Sequence, residues 1–131
     1  MTEIEFVRTV TGRPWANRAC TFDELDCWGL VVLYYRHVLG VELHHLPDYE
    51  SGADFVTCYE SAASCWRTIP AAVPGCIAVF YRGDVPAHTG VMLTPVKCLH
   101  SRGEHGFVRI DSPVALLRIY SRVEYMSYAK I

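Results

Sequence analysis

Leu25-Asp26-Cys27-Trp28-Gly29-Leu30-Val31-Val32-Leu33-Tyr34-Tyr35 decides how the rest of this chain is read. Asp26 suits a helix N-cap, because its carboxylate accepts from the N–H groups that a first turn leaves unpaired. The predicted helix runs from about Cys27 to Leu39, and Gly40 is a natural stop. Leu30, Val31, Leu33 and Tyr34 are apolar almost all round, so the helix belongs in a core. Cys27 sits in its first turn, where the positive end of the helix dipole favours a thiolate. A side chain at the tip of a rigid buried helix is well placed as a nucleophile. The same features describe an ordinary core thiol, since free cysteine is among the most buried residue types.

Upstream, Thr2 is predicted to cap a short amphipathic helix whose apolar side is Ile4, Phe6, Val7 and Val10, with Gly12 ending it. Gly12-Arg13-Pro14-Trp15 reads as a turn, because Pro14 biases Arg13 away from helix. Residues 16–24 show no period and read as a loop. Downstream, a second helix is expected over roughly Gly52 to Thr68, with Phe55, Tyr59, Ala62, Trp66 and Ile69 along one face and Pro70 closing it.

After Pro70 the period becomes strand-like. Cys76–Tyr81, His88–Leu93, Val96–His100 and Phe107–Ile110 are four expected strands. Leu116 to Tyr125 alternates well enough for a fifth, with Leu117, Ile119, Ser121 and Val123 on one side. The links between strands are short, which forces antiparallel neighbours. Helices followed by a run of strands give an α+β fold, the Cys27 helix packed on an antiparallel sheet of about five strands.

With 131 residues, half of them hydrophobic, the chain suits one domain over residues 1–131 with an ample core. The formal charge of −2 and the lack of a basic block argue against nucleic-acid binding. No apolar run is long enough for membrane insertion. The start, Met1-Thr2-Glu3-Ile4-Glu5, is acidic where a signal peptide is basic, so synthesis in the cytoplasm without a signal peptide is expected. Cys58, Cys65, Cys76 and Cys98 read as small core residues rather than disulfide partners. His37, His44 and His45 complete no recognised ligand spacing and read as solvated, as does His105 in its turn; no metal and no cofactor are expected.

A cysteine nucleophile needs a base in hydrogen-bond reach, and the base needs a third group to orient it. His88 opens the second strand and His100 closes the third. If those strands are antiparallel neighbours, the two imidazoles share one edge of the sheet. Packing the Cys27 helix over that edge completes a Cys–His–His line.

Asp26-Cys27-Trp28-Gly29-Leu30-Val31 resembles the D-C-x-G-L-V signature of the NlpC/P60 cysteine peptidases. Gly12-Arg13-Pro14-Trp15 is similar to their G-x-P-[YW] segment. Pro74-Gly75-Cys76-Ile77-Ala78-Val79-Phe80 resembles their P-G-D strand, with Cys76 in place of the acidic residue. His88-Thr89-Gly90-Val91-Met92-Leu93 resembles their histidine strand. The segments occur in family order from Gly12 to about Pro113. Trp28, with Tyr35-Arg36-x-Val38-Leu39-Gly40 after it, looks most like members from long-tailed phage tail tips.

The resemblance implies a papain-like fold and an endopeptidase that cuts γ-D-glutamyl–diamino acid bonds of peptidoglycan stem peptides. By transfer, Cys27 is the nucleophile, His88 the general base and acid, and His100 the orienter. Asp26, Trp15 and Trp28 fall at substrate-binding positions. Trp15 can equally be a core residue pinning its loop. Many cell-wall members carry Ser where Trp28 stands. The expected partners are the stem peptide and phage tail tip proteins, with the protein itself incorporated into the virion tail. Two other readings stand beside this one. The chain can be a structural or assembly component of the tail tip with a shielded or unused triad, or an amidase or acyltransferase on a non-wall substrate.

Overall fold

The computed structural model describes residues 1–43, 65–103 and 105–129. Helix α1 spans Glu3–Val10 and is held by a capping box: the Glu5 N–H donates to Thr2 Oγ1 at 3.1 Å, and the Thr2 N–H donates to Glu5 Oε1 at 3.3 Å. Phe6 and Val10 are buried, but Ile4 faces solvent and is not part of the apolar side. Gly12 adopts φ +86°, which turns the chain back along the sheet edge. There its N–H donates to the Val108 carbonyl, and the Val108 N–H to that of Arg13.

Helix α2 spans Cys27–Tyr34, and every residue of it is buried. It then widens into a π turn over Tyr35–Leu39, which ends at Gly40 with φ +69°. The expected α-helix to Leu39 is therefore α-helical only to Tyr34. Apolar spacing cannot register this change, because every position in the stretch up to Tyr35 is buried. The Tyr35 hydroxyl donates to the Gly75 carbonyl, tying this turn to the entry of the sheet.

Among the described residues, six strands form one antiparallel sheet: β1 (Trp66–Ile69), β2 (Ile77–Arg82), β3 (Val85–Thr94), β4 (Lys97–Ser101), β5 (Val108–Asp111) and β6 (Arg122–Tyr128). Their spatial order is β1-β6-β2-β3-β4-β5. The expected helix over Gly52–Thr68 is corrected at its end. Trp66 pairs with Tyr128 and Ile69 with Tyr125, so both lie in a strand and not on a helical face. Trp66, Thr68 and Ile69 are strand-favouring residues, and the ladder to β6 gives their backbone its partners. Phe55, Tyr59, Ala62 and Cys58 lie outside the described residues, as do His44 and His45.

The expected strand from Leu116 is also corrected. Ser112 and Pro113 start a short helix, α3 (Pro113–Leu116), with Ser112 Oγ accepting from the Ala115 N–H at 3.1 Å. The strand begins only at Arg122, and Leu117 and Ile119 are largely exposed.

The two faces of the sheet bury different sets at a period of two. Ile77, Val79, Val91 and Leu99 pack with α1 and α2. Cys76, Ala78, Phe80, Met92 and Cys98 pack with Leu116 and Tyr120. Cys27, Cys65, Cys76 and Cys98 are free thiols.

Candidate active site

Asp26 organises the start of α2. Its Oδ1 accepts from the Gly29 N–H at 2.7 Å, and its Oδ2 accepts from the Arg18 N–H at 2.9 Å. Arg18 takes φ +67° at this point, where it presents that N–H. Gly29 allows the loop to lie directly on the helix: a Cβ there would stand 2.1 Å from the Ala19 carbonyl oxygen. The Ala19 carbonyl in turn accepts from the Asp26 N–H at 3.0 Å. The spacing Asp-Cys-x-Gly is thus a local folding unit that fixes Cys27 at the helix tip.

On the sheet, His88 Nε2 lies 2.9 Å from His100 Nδ1. His100 Nε2 lies 2.8 Å from Asp111 Oδ2, and Arg109 Nε pairs with the same oxygen at 2.7 Å. Strands β3, β4 and β5 are consecutive neighbours, so each supplies one member of this row. Gly90 makes the close approach possible, since a Cβ on it would meet Cys98 Sγ at 2.5 Å, the Leu99 carbonyl oxygen at 2.7 Å and His100 Cβ at 2.9 Å. The His88 ring stacks on Tyr120, with centroids 5.6 Å apart and planes 7° from parallel.

Cys27 and His88 line one cavity of about 420 Å³, together with Trp15, Asp26, Tyr120, Arg82 and Arg102. His100 lies behind His88 and borders a second cavity of about 230 Å³ with Asp111 and Arg109. Of the residues singled out in the sequence, Cys27, His88, Trp15 and Asp26 therefore meet around one opening, and His100 joins them through His88. Trp28 does not. It is fully buried, edge-on to Trp66 at 6.2 Å, and packs into the core on the helix side of the sheet. The expectation that Trp28 touches substrate is corrected on that ground: on a helix buried all round, the residue after the nucleophile has no open side.

The helix dipole does not set the state of the thiol. Burial pushes the Cys27 thiol well up, and the Asp26 carboxylate adds to this. The backbone N–H groups of Thr89, Trp28 and Cys27 act in the opposite direction and are outweighed. Burial likewise holds His88 well below the ordinary imidazole range, reinforced by His100, Arg102 and Arg82. His100 is held down by burial against the pull of Asp111. Burial pushes the Asp111 carboxyl up, but the hydrogen bonds from His100 and Arg109 outweigh it and leave it below its ordinary value. Both shifts favour a neutral thiol and a neutral His88 lining the one cavity, with His100 and the Asp111 carboxylate behind His88.

Asp111, Tyr120, Arg82 and Arg102 were not evident from sequence. Asp111 ends a strand, where a carboxylate reads as a turn residue, and its cross-strand pairing with Cys98 is visible only in the register. Tyr120 falls in the stretch read as a fifth strand.

The NlpC/P60 family model matches residues 12–118. No protein of curated function matches the sequence. The fold is similar to the NlpC/p60 domain of the peptidoglycan hydrolase SagA, with a TM-score of 0.64 at 13% identity over 94% of this chain and 92% of that one. It is also similar to NlpC1 from Trichomonas vaginalis, with a TM-score of 0.66 at 16% identity over 95% of this chain and 42% of that one. The matched segment holds the capped cysteine helix and the histidine strands, and the chain belongs to the NlpC/P60 family of cysteine hydrolases.

Proposed function

We propose that this chain is a cysteine endopeptidase that hydrolyses an amide bond of peptidoglycan stem peptides, of the γ-D-glutamyl–diamino acid type. The observation that carries the reading is the shared cavity of Cys27 and His88, with His100 hydrogen-bonded behind His88. The likeness to the fold of a peptidoglycan hydrolase supports the substrate class. Cys27 is the nucleophile, His88 the general base and acid, and His100 the group that orients His88.

The resting state sets the order of events. With both partners neutral, His88 takes the thiol proton as the sulfur attacks the amide carbonyl carbon. The backbone N–H of Cys27 helps hold the oxygen that gains charge. His88 returns its proton to the leaving amine as the C–N bond breaks, leaving a thioester on Cys27. Water, deprotonated by His88, then attacks the thioester and releases the acid and the thiol. Trp15 walls the cavity, and Asp26, which borders it with both oxygens accepting backbone N–H groups, supplies the negative charge that attracts the free amine of the stem peptide.

We place the protein in a phage tail tip, made in the host cytoplasm and carried in the virion. This rests on the wording of the sequence at Trp28 and at Tyr35-Arg36-x-Val38-Leu39-Gly40. Digestion of defined muropeptides with mass readout tests the activity. New amines are expected from the wild type and not from Cys27→Ala. No cleavage by folded wild type overturns the hydrolase reading in favour of a structural tail component. Peptide mass spectrometry of purified virions tests the location, and absence from them overturns it.

A further inference from the structure

The proposed hydrolysis, on which this inference rests, requires a free lone pair on His88 facing the sulfur. The structure determines which nitrogen carries it. The Asp111 carboxylate can only accept hydrogen bonds. Its Oδ2 lies 2.8 Å from His100 Nε2, so that nitrogen carries a hydrogen. A neutral His100 then has only a lone pair at Nδ1. That lone pair lies 2.9 Å from His88 Nε2, which must therefore carry its own hydrogen and donate it. In a neutral His88 the nitrogen left over is Nδ1, and it alone can take the Cys27 proton. Arg109 grips the carboxylate through both oxygens, Nε to Oδ2 at 2.7 Å and Nη2 to Oδ1 at 3.2 Å, so the acceptor is fixed in orientation.

We propose that Asp111 is a positioning residue for this chemistry, setting through two successive imidazole tautomers which nitrogen of His88 serves as the base. It touches neither substrate nor sulfur. Its influence passes from β5 through β4 to β3, along hydrogen bonds between adjacent strands.

Asp111→Leu tests this by removing the acceptor at similar volume; Asn does not, because its oxygen can stay on Arg109 Nε and His100 Nε2 together. Without an acceptor, nothing holds the hydrogen of His100 at Nε2, and the bias that keeps the hydrogen of His88 at Nε2 is lost with it. Two-bond ¹H–¹⁵N spectra of the histidine rings report this directly. The wild type is expected to show His88 and His100 both protonated at Nε2. Asp111→Leu is expected to populate Nδ1 protonation in both rings, and to lower kcat on muropeptides at least about twofold with KM little changed. A wild-type His88 protonated at Nδ1 overturns the proposal, and this spectrum decides the matter even where the variant does not fold. Wild-type tautomers in Asp111→Leu, or shifted tautomers with unchanged kcat, overturn it too. Wild-type protein that shows the expected tautomers yet cleaves no muropeptide sinks the substrate reading and leaves this inference standing.

Discussion

Ser101 Oγ donates to the Leu25 carbonyl at 2.6 Å, a buried hydrogen bond that joins the residue after His100 to the segment entering the Cys27 helix. It ties the imidazole side of the site to the sulfur side. The remaining hold between α2 and the sheet comes largely from apolar packing of Leu30, Val31 and their neighbours on Val91 and Leu99.

Ser101→Ala leaves that carbonyl buried without its donor. A loss of about 1–3 kcal/mol is expected in urea unfolding. kcat on muropeptides should fall as well, because the helix tip loses its tether to β4. An unchanged midpoint with unchanged kcat would show that packing alone sets the distance.

Stability should peak between about pH 6.5 and 8.5. His88 and His100 are both depressed in the folded state, so the unfolded chain binds more protons as pH falls below the ordinary imidazole value of 6.5. Their contribution is present above that value and is lost on acidification, by up to about 1.4 kcal/mol per pH unit for each ring. Cys27 and Cys98 are raised, so their contribution is present below the ordinary thiol range and is lost as pH climbs through it. Thermal melts across pH 5 to 10 check both limbs, and His88→Gln should flatten the acid one.

Gly90→Ala should damage chemistry and stability together. The added methyl meets the Leu99 carbonyl at 2.7 Å and His100 Cβ at 2.9 Å, so β4 must move off β3 and stretch the His88–His100 bond. Overpacking of this kind costs about 1–3 kcal/mol. Cys98→Ala on top of it is not expected to rescue the protein, because the clash with backbone remains. Full rescue would mean that the sulfur was the only obstacle.

Asp26→Asn removes a charge beside the sulfur. The Asp26 carboxylate raises the thiol, so its loss should shift the pH midpoint of Cys27 alkylation downward, followed by peptide mass spectrometry. Stability should drop by about 0.5–2 kcal/mol, because an amide cannot accept from both the Gly29 and Arg18 N–H groups.

What the sequence displayed and what it hid divide along one line. The capped helix tip at Asp26-Cys27 and the strand ends at His88 and His100 follow from local signals: a cap, a stop, alternation and short links. Trp66–Ile69 was misread because Trp66 and Ile69 also fit a helical period, while only the distant Tyr125–Tyr128 makes them a strand. Ser112-Pro113 is a helix-start signal present in the sequence, and the alternation after it masked it. Asp111 and Tyr120 became visible only with strand register and tertiary stacking, which no window of sequence contains.

The uncharged sulfur–imidazole pair also bears on survival of the protein before it acts. Oxidants and electrophiles select thiols by ionised character and access, and Cys27 offers little of either at rest, being only 7% exposed. A nucleophile kept in this neutral, shielded form is expected to be a slow target for oxidants and electrophiles at rest.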